Sequence, residues 1–246
     1  MDLYEAFISS VPAHLRVTMA VRGRYQAYVE TESGAGLASL PLPGKKPYGD
    51  AAVCTDWLGK PLRDLAAQLG SDDMALSALG CAAVNAWFNR RESMEALGVT
   101  LYPPEIDEGD VFRTLEPKCA GKLVSTVGHF HGGEKLAGMR ELRVFEKDPR
   151  PGDYPEREED RLLPGSDVVV ITGMALTNGT MPHILELCRD SQIVALSGPS
   201  VPVSPIWFDH GVTALFGTLC WDIPGCRKAM RYGGHKDTWK YMGKSV

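Results

Sequence analysis

The sequence predicts a small α+β domain followed by an α/β domain built on a parallel sheet. In the first part of the chain, strand patterns come first and helical patterns follow. In the second part, apolar strand runs and helical segments alternate, which is typical of a parallel sheet with helices on both faces. The 246 residues are enough for two domains of ordinary size. We place the boundary at residue 104, which gives domains 1–104 and 105–246.

The first domain begins with a short helix and continues as a meander of strands. Residues 2–9 are expected to form the helix. Polar and apolar side chains alternate over 16–22, which is the period of a half-buried strand. Two further strands are expected at 25–31 and 34–40, and the segment 41–49, rich in Pro, Gly and Lys, should form a surface loop.

Two helices complete the first domain. Apolar residues follow with helical spacing from Leu62 to Leu69, and a second amphipathic helix extends to Trp87. Ser71 is a good N-cap for that second helix. Residues 91–117 show no strong period, and we interpret them as the connection between the domains.

The second domain alternates strands and helices. Five strands are predicted, at 122–128, 142–146, 167–172, 192–197 and 212–219. The run 167–172 is nearly all apolar, as expected of a strand that is buried on both faces. Helices are predicted from near Gly133, over 180–188 and over 224–232.

Three loops follow the carboxyl ends of these strands, where open parallel sheets bind their ligands. Each loop places Gly, Ser, Thr, Asn or His where a helix N-terminus can present free N–H groups to an anion. We therefore expect one cleft, lined by His129, His131, Glu146, Asn178, Thr180, Ser197 and Ser200, with close backbone approach at Gly128, Gly173 and Gly198.

The position of the cleft depends on the strand order. In a Rossmann-like order, the loops after the first and fourth predicted strands flank the point where the strand order reverses, and Glu146 closes one side. Asn178 and Thr180 are nearest to this point only in a flavodoxin-like order. Glu30 or the turn at 34–36 is the expected cover from the other domain.

His129 and His131 are the best metal candidates. Imidazole nitrogen suits zinc, copper, nickel and iron, but two ligands do not close a site. A pair of hydrogen-bonding loop histidines fits the same spacing equally well. Cys220 and Cys226 lack the short spacing of a metal site, and we expect them to be structural.

A nucleotide cofactor is the alternative ligand for the same edge of the sheet. Glu146 ends the second predicted strand, near the usual position of an acid that holds a ribose. However, the Gly-x-Gly-x-x-Gly pattern is absent, and bulky His129, Phe130 and His131 stand where the backbone should approach a pyrophosphate. The sequence also lacks a P-loop and a nucleophile elbow.

Composition and charge exclude several classes of protein. The net charge of −5 provides no broad basic surface for nucleic acid. No stretch approaches the roughly 20 apolar residues of a membrane span, and the start does not resemble a signal peptide. The six scattered cysteines indicate reduced thiols in a cytoplasmic protein. A homodimer is the default assembly.

The segments 169–173, 176–180, 196–202 and 211–212 resemble the C-terminal domain of the family described as "putative heavy-metal chelation". Residues 34–38 and 59–62 resemble its accessory domain, which is similar to the N-terminal domain of enolase. The resemblance implies a Rossmann-like second domain and a site between the domains. It also implies that a transition metal, or a metal complex of a small anionic or chelating ligand, is handled there. No metal-ligand set carries over residue by residue.

Three hypotheses about function follow: a metal- or metal-complex-handling protein, an enzyme with a nucleotide cofactor, and a subunit whose first domain serves assembly only. Under the first, His131→Ala is expected to lose metal or ligand affinity while keeping its fold. Metal analysis of protein purified without a His-tag separates the first two. Stoichiometric metal supports the first hypothesis, and a copurified nucleotide supports the second.

Overall fold

The computed structural model describes residues 2–42, 46–106, 110–130, 136–233 and 235–246, and it contains three sheets in these ranges. Its strands are β1 (Met19–Arg22), β2 (Gln26–Thr31), β3 (Gly34–Ser39), β4 (Ala52–Val53), β5 (Leu101–Tyr102), β6 (Leu123–Val127), β7 (Glu141–Glu146), β8 (Tyr154–Pro155), β9 (Val168–Thr172), β10 (Ile193–Ser197), β11 (Ala214–Phe216), β12 (Thr218–Cys220) and β13 (Met242–Ser245). Its helices are α1 (Leu3–Ser10), α2 (Leu62–Ala66), α3 (Met74–Phe88), α4 (Arg91–Ala96), α5 (Val111–Cys119), α6 (Glu159–Leu162), α7 (Met174–Thr177), α8 (Met181–Leu187), α9 (Ile223–Tyr232) and α10 (His235–Trp239).

The first half contains an antiparallel sheet in the order β3-β2-β1-β4. Both of its faces are covered. Ala20 and Val29 point into the core shared with α3, whereas Val21 and Tyr28 pack with Met230 of α9. The prediction that β1 is half-buried is therefore wrong, because helices from the two halves cover opposite faces of the sheet.

The second half contains a parallel sheet of six strands, in the order β11-β10-β9-β6-β7-β8. All neighbours in it are parallel. Counted from β6, this is the Rossmann order 3-2-1-4-5-6, which confirms the predicted α/β class. The two-residue strand β8 was not predicted, and its presence makes β9, not β10, the fourth strand. The strand order consequently reverses between β6 and β9.

The predicted strand 212–219 is two strands in two different sheets. β11 extends the parallel sheet, whereas β12 pairs with β13, and β13 also pairs with β5. Gly217 separates them and packs closely, since a Cβ there would lie 2.4 Å from Val203 Cγ2. Because β5 joins a sheet with the C-terminal strand, residues before 104 pack with the second half. The boundary at 104 stays a prediction, and the helix predicted from Gly133 starts outside the described residues.

The region 91–117, which has no sequence period, contains α4 and most of α5. Acidic side chains cap the N-termini of α5 and α3. Asp110 accepts hydrogen bonds from the N–H groups of Phe112 and Arg113 at the start of α5. Asp73 caps α3 in the same way, so the choice of Ser71 as the N-cap is wrong. The Ser71 hydroxyl instead accepts from the N–H of Asp73.

No helix in the described ranges is long and apolar enough to cross a membrane.

Helix α3 joins the two halves through a row of polar side chains on one face. The members of the row are four residues apart in the sequence, from Ser77 to Asn89 just after the helix. Ser77 Oγ donates to Thr177 O at 2.6 Å, and Cys81 Sγ donates to Ser200 O at 3.4 Å. One turn further on, the Asn85 amide nitrogen bridges Leu37 O and Pro199 O, at 2.7 and 2.9 Å. Asn89 ends the row: its Nδ2 donates to Val201 O and Thr218 O, and its Oδ1 accepts from Val203 N.

We expect Asn89→Ala to lower the free energy of unfolding by about 3–5 kcal/mol, because it leaves two carbonyls and one N–H unpaired in a buried position. Urea unfolding measures the loss. Gln68→Ala, which removes an amide whose hydrogen bond to Asp64 O is long at 3.5 Å, should stay within about 0.5 kcal/mol of wild type. Similar losses in both variants would contradict this role of Asn89.

Candidate functional site

The strand order places the candidate site at the carboxyl ends of β6 and β9. The chain leaves β6 at Gly128, which has φ +96° and donates from its N–H to Phe145 O at 2.8 Å. A Cβ at this position would lie 2.9 Å from Thr172 Cγ2 at the end of β9. Glycine suits this position for two reasons: its φ is positive, and a side chain would collide with Thr172. Position 128 lies at the edge where open parallel sheets bind their ligands.

An inner chamber of about 170 Å³ lies at this point. It takes side chains from the ends of β6, β7 and β9 and from the segments that follow them. Its walls include Gly128, His129, Glu146, Glu159, Asn178 and Thr180. The structure thus brings together five of the predicted site residues, and Asn178 and Thr180 line the chamber in the Rossmann order, because β9 flanks the reversal.

An outer cleft of about 960 Å³ shares His129, Glu146 and Asn178 with the inner chamber. One wall comes from the first half of the chain and includes Tyr25, Leu40, Leu42, Tyr48 and Met74. The other wall carries the charged side chains of Lys147, Asp148 and Arg150. The two cavities adjoin between the halves, with an apolar wall facing a charged wall.

A carboxylate lies beside the ring of His129. Its Nδ1 lies 3.4 Å from Asp153 Oδ2, and that same oxygen accepts from the N–H of Arg150 at 2.8 Å. A carboxylate on one ring nitrogen fixes the orientation of an imidazole and leaves the other nitrogen to act as a metal ligand. Nε2 of His129 is therefore the atom that this arrangement offers to a ligand.

Glu146 organises the backbone of the site. Its Oε2 accepts from the N–H of His129 at 3.0 Å, and its Oε1 accepts from the N–H of Lys147 at 2.9 Å. On the opposite wall, Asn178 Oδ1 accepts from both the N–H and the hydroxyl of Thr180, at 3.1 and 2.8 Å. These bonds hold the loops after β7 and β9 in place around the chamber.

The other predicted positions lie outside the two cavities. Ser200 and Gly173 make packing contacts within the protein instead. Ser197, Gly198 and Ser200 do not line the described walls of either cavity, so the expectation of one common cleft is wrong for them. Ser200 is buried, and its Oγ accepts from the N–H of Ser39 at 2.8 Å. Gly173 packs closely against the backbone of Ser200. A Cβ on Gly173 would lie 2.8 Å from the Ser200 carbonyl carbon.

Two further expectations concern His131 and the cover of the cleft. His131 lies outside the described residues. Glu30 does not cover the cleft: it accepts hydrogen bonds from Tyr28 and Arg227 on the other face of the antiparallel sheet. Residues 34–36, expected as a turn, are the start of β3 and pack against α3, where a Cβ on Gly36 would lie 2.2 Å from Ala82 O. The chain beyond β3 supplies the cover instead.

Glu159 at the start of α6 is a site residue that the sequence did not suggest. It lines the inner chamber although only 6% of its surface is exposed. Burial, followed by the nearby charge of Glu156, raises the pKa of Glu159 to about 7. Its sequence context is a run of charged residues at 156–161, which is typical of a solvated surface and gave no reason to single out one member.

The donor set of the site offers a metal few protein ligands. Within the ranges that the structure describes, no three His, Cys, Asp or Glu side chains lie close enough to hold a metal ion together. All six cysteines are free thiols, and four of them are buried. Cys226 donates to Tyr241 O at 3.2 Å. Within these ranges, His129 fits as a single metal ligand.

The Rossmann-order sheet and the cleft between the halves define a two-part α/β protein with a cleft at the reversal point. Family models with the description "putative heavy-metal chelation" match residues 110–246 and 4–88. The chain therefore belongs to this family, which confirms the resemblance seen in the sequence.

Relatives of known sequence or structure match most of the chain. An uncharacterized protein of Methanocaldococcus jannaschii is 27% identical over 214 residues, which are 84% of this chain and 78% of the relative. A crystal structure of a protein of unknown function from Desulfitobacterium hafniense has a TM-score of 0.83 at 26% identity and covers 99% of this chain and 96% of its own. A second one, from Pyrococcus horikoshii, has a TM-score of 0.78 at 18% identity, with 99% and 97% coverage, and shares the fold.

The raised pKa of Glu159 predicts a pH-dependent stability. The folded protein keeps this proton up to about pH 7, whereas the unfolded chain releases it near pH 4.5. Stability from this group is therefore present below pH 4.5 and is lost as the pH rises to 7. Glu159→Gln removes the effect, so between pH 5 and 8 wild type should lose about 2–3 kcal/mol more than the variant. Urea unfolding at both pH values measures the difference, and Glu186→Gln, at an exposed position, is the control. The prediction fails if the free energy of unfolding changes equally with pH in all three proteins.

Proposed function

We propose that the cleft binds a small anionic chelator or its metal complex. The observation that carries this proposal is the cleft itself, which lies at the sheet reversal and takes one wall from each half of the chain. Its volume of about 960 Å³ lies within the range of small-molecule sites, about 300–1,000 Å³. Tyr25, Leu40 and Tyr48 suit an organic skeleton, and Lys147 and Arg150 suit its carboxylates.

The metal in this proposal arrives with its own organic ligand. Such a complex has most of its coordination sphere filled and needs only one or two protein donors, of which His129, with Asp153 beside its other ring nitrogen, provides one. When bound, the metal would tie the chelator's donor atoms to Nε2 of His129. The family description gives independent support for metal handling.

The nucleotide alternative gains no support from the described geometry. The acid at its ribose position, Glu146, has both oxygens engaged by backbone N–H groups. The glycine pattern of a pyrophosphate loop is also absent from the sequence. A homodimer and a cytoplasmic location stay predictions, and the free thiols agree with a reducing compartment.

The test uses tag-free protein and the Ni²⁺ complexes of nitrilotriacetate and of ethylenediamine-N,N′-diacetate in calorimetric titrations. We expect wild type to bind at least one complex and His129→Ala to bind it about tenfold more weakly. His14→Ala, which removes an exposed histidine outside the cleft, should match wild type. Absence of binding to wild type, or equal affinity in His129→Ala, would overturn the proposed function.

A further inference from the structure

The inner chamber contains a buried carboxylate that has no ion-pair partner among the described residues. Glu159 lines the chamber with 6% of its surface exposed. In the described part of the chain, its side chain accepts no hydrogen bond and forms no ion pair. An ionised carboxylate that has lost water without gaining a partner is costly, so this position favours a ligand that supplies one.

The charged groups around Glu159 are already engaged. Lys147 Nζ lies 3.3 Å from Glu156 Oε1, so the cation of the chamber is paired with the neighbouring acid. His183 Nε2 lies 2.6 Å from Asp160 Oδ1 on an exposed surface. Of the acids in the chamber, Glu146 accepts two backbone N–H groups and Glu156 has Lys147, which leaves Glu159 as the acceptor facing the cavity.

An organic nitrogen fits this chamber better than a metal ion. A metal needs several donors that converge on one point, and the described residues bring no three such side chains together. An ammonium or amine N–H donates along separate directions and needs only one well-placed carboxylate oxygen. The chamber volume of about 170 Å³ admits such a group.

We propose that the inner chamber is a subsite for a basic nitrogen, and that the ligand of the cleft is an amino-carboxylate. Its nitrogen donates to Glu159, and its carboxylates lie in the outer cleft near Lys147 and Arg150. This inference rests on the proposed function and specifies the chemical class of the ligand. It assigns Glu159 the role of discriminating between nitrogen-containing and nitrogen-free acids.

The experiment compares two metal-free probes of equal chain length at pH 8, where Glu159 is ionised. Ethylenediamine-N,N′-diacetate carries two amine groups, and suberate replaces both with methylene groups. In calorimetric titrations, we expect Glu159→Gln to weaken the diamine by about tenfold and to change suberate by less than about twofold. Glu159→Asp, which keeps the charge on a shorter side chain, should give an intermediate loss, and Glu186→Gln should give none.

Several results would overturn the inference. Equal changes for both probes in Glu159→Gln would show that the residue shapes the cavity without contacting nitrogen. Ni²⁺ alone binding to wild type and lost in Glu159→Gln would show a metal site instead. If the Ni²⁺ complexes bind but the two probes respond alike, only this inference fails; if no complex and no probe binds, the proposed function fails with it. Thermal unfolding of each variant confirms that it is folded.

Discussion

The polar face of α3 holds the two halves of the molecule in one arrangement, and the ligand cleft depends on it. Ser77, Cys81, Asn85 and Asn89 each reach a carbonyl of the second half, in the segments that follow β9 and β10. A buried helix normally presents apolar side chains. Here each donor of the row has a carbonyl partner, whereas Asn85 Oδ1 has none among the described residues. The row fixes the antiparallel sheet relative to the parallel sheet, and the cleft walls keep their spacing because of it.

The sequence predicted most of the elements because their signals are local. Alternation and apolar runs located β2, β6, β9 and β10 to within two residues at each end, and the strand–helix alternation gave the correct class for the second half. Two failures came from long-range contacts. β8 has two residues and no period of its own, and the split between β11 and β12 depends on the fit of Gly217 against Val203.

The lining of the inner chamber was predicted in part for the same reason. Gly128, His129, Glu146, Asn178 and Thr180 follow strand ends, and topology alone brings strand ends to one edge. Ser197 and Ser200 also follow a strand end, but there the backbone packs onto β3 and α3. Glu159 could not be selected from a run of charged residues, since its burial depends on how α6 lies against the sheet.

The hydrogen bonds along α3 also restrict how a ligand reaches the site. Two-domain binding proteins often open like a clamshell by rotation about a hinge. Here such a rotation would separate the buried amides of Asn85 and Asn89 from their carbonyl partners at the same time, with a free-energy cost of several kcal/mol. Ligand exchange should therefore proceed through the open mouth of a rigid cleft, so association rates should depend more on ionic strength at Lys147 and Arg150 than on a slow conformational step.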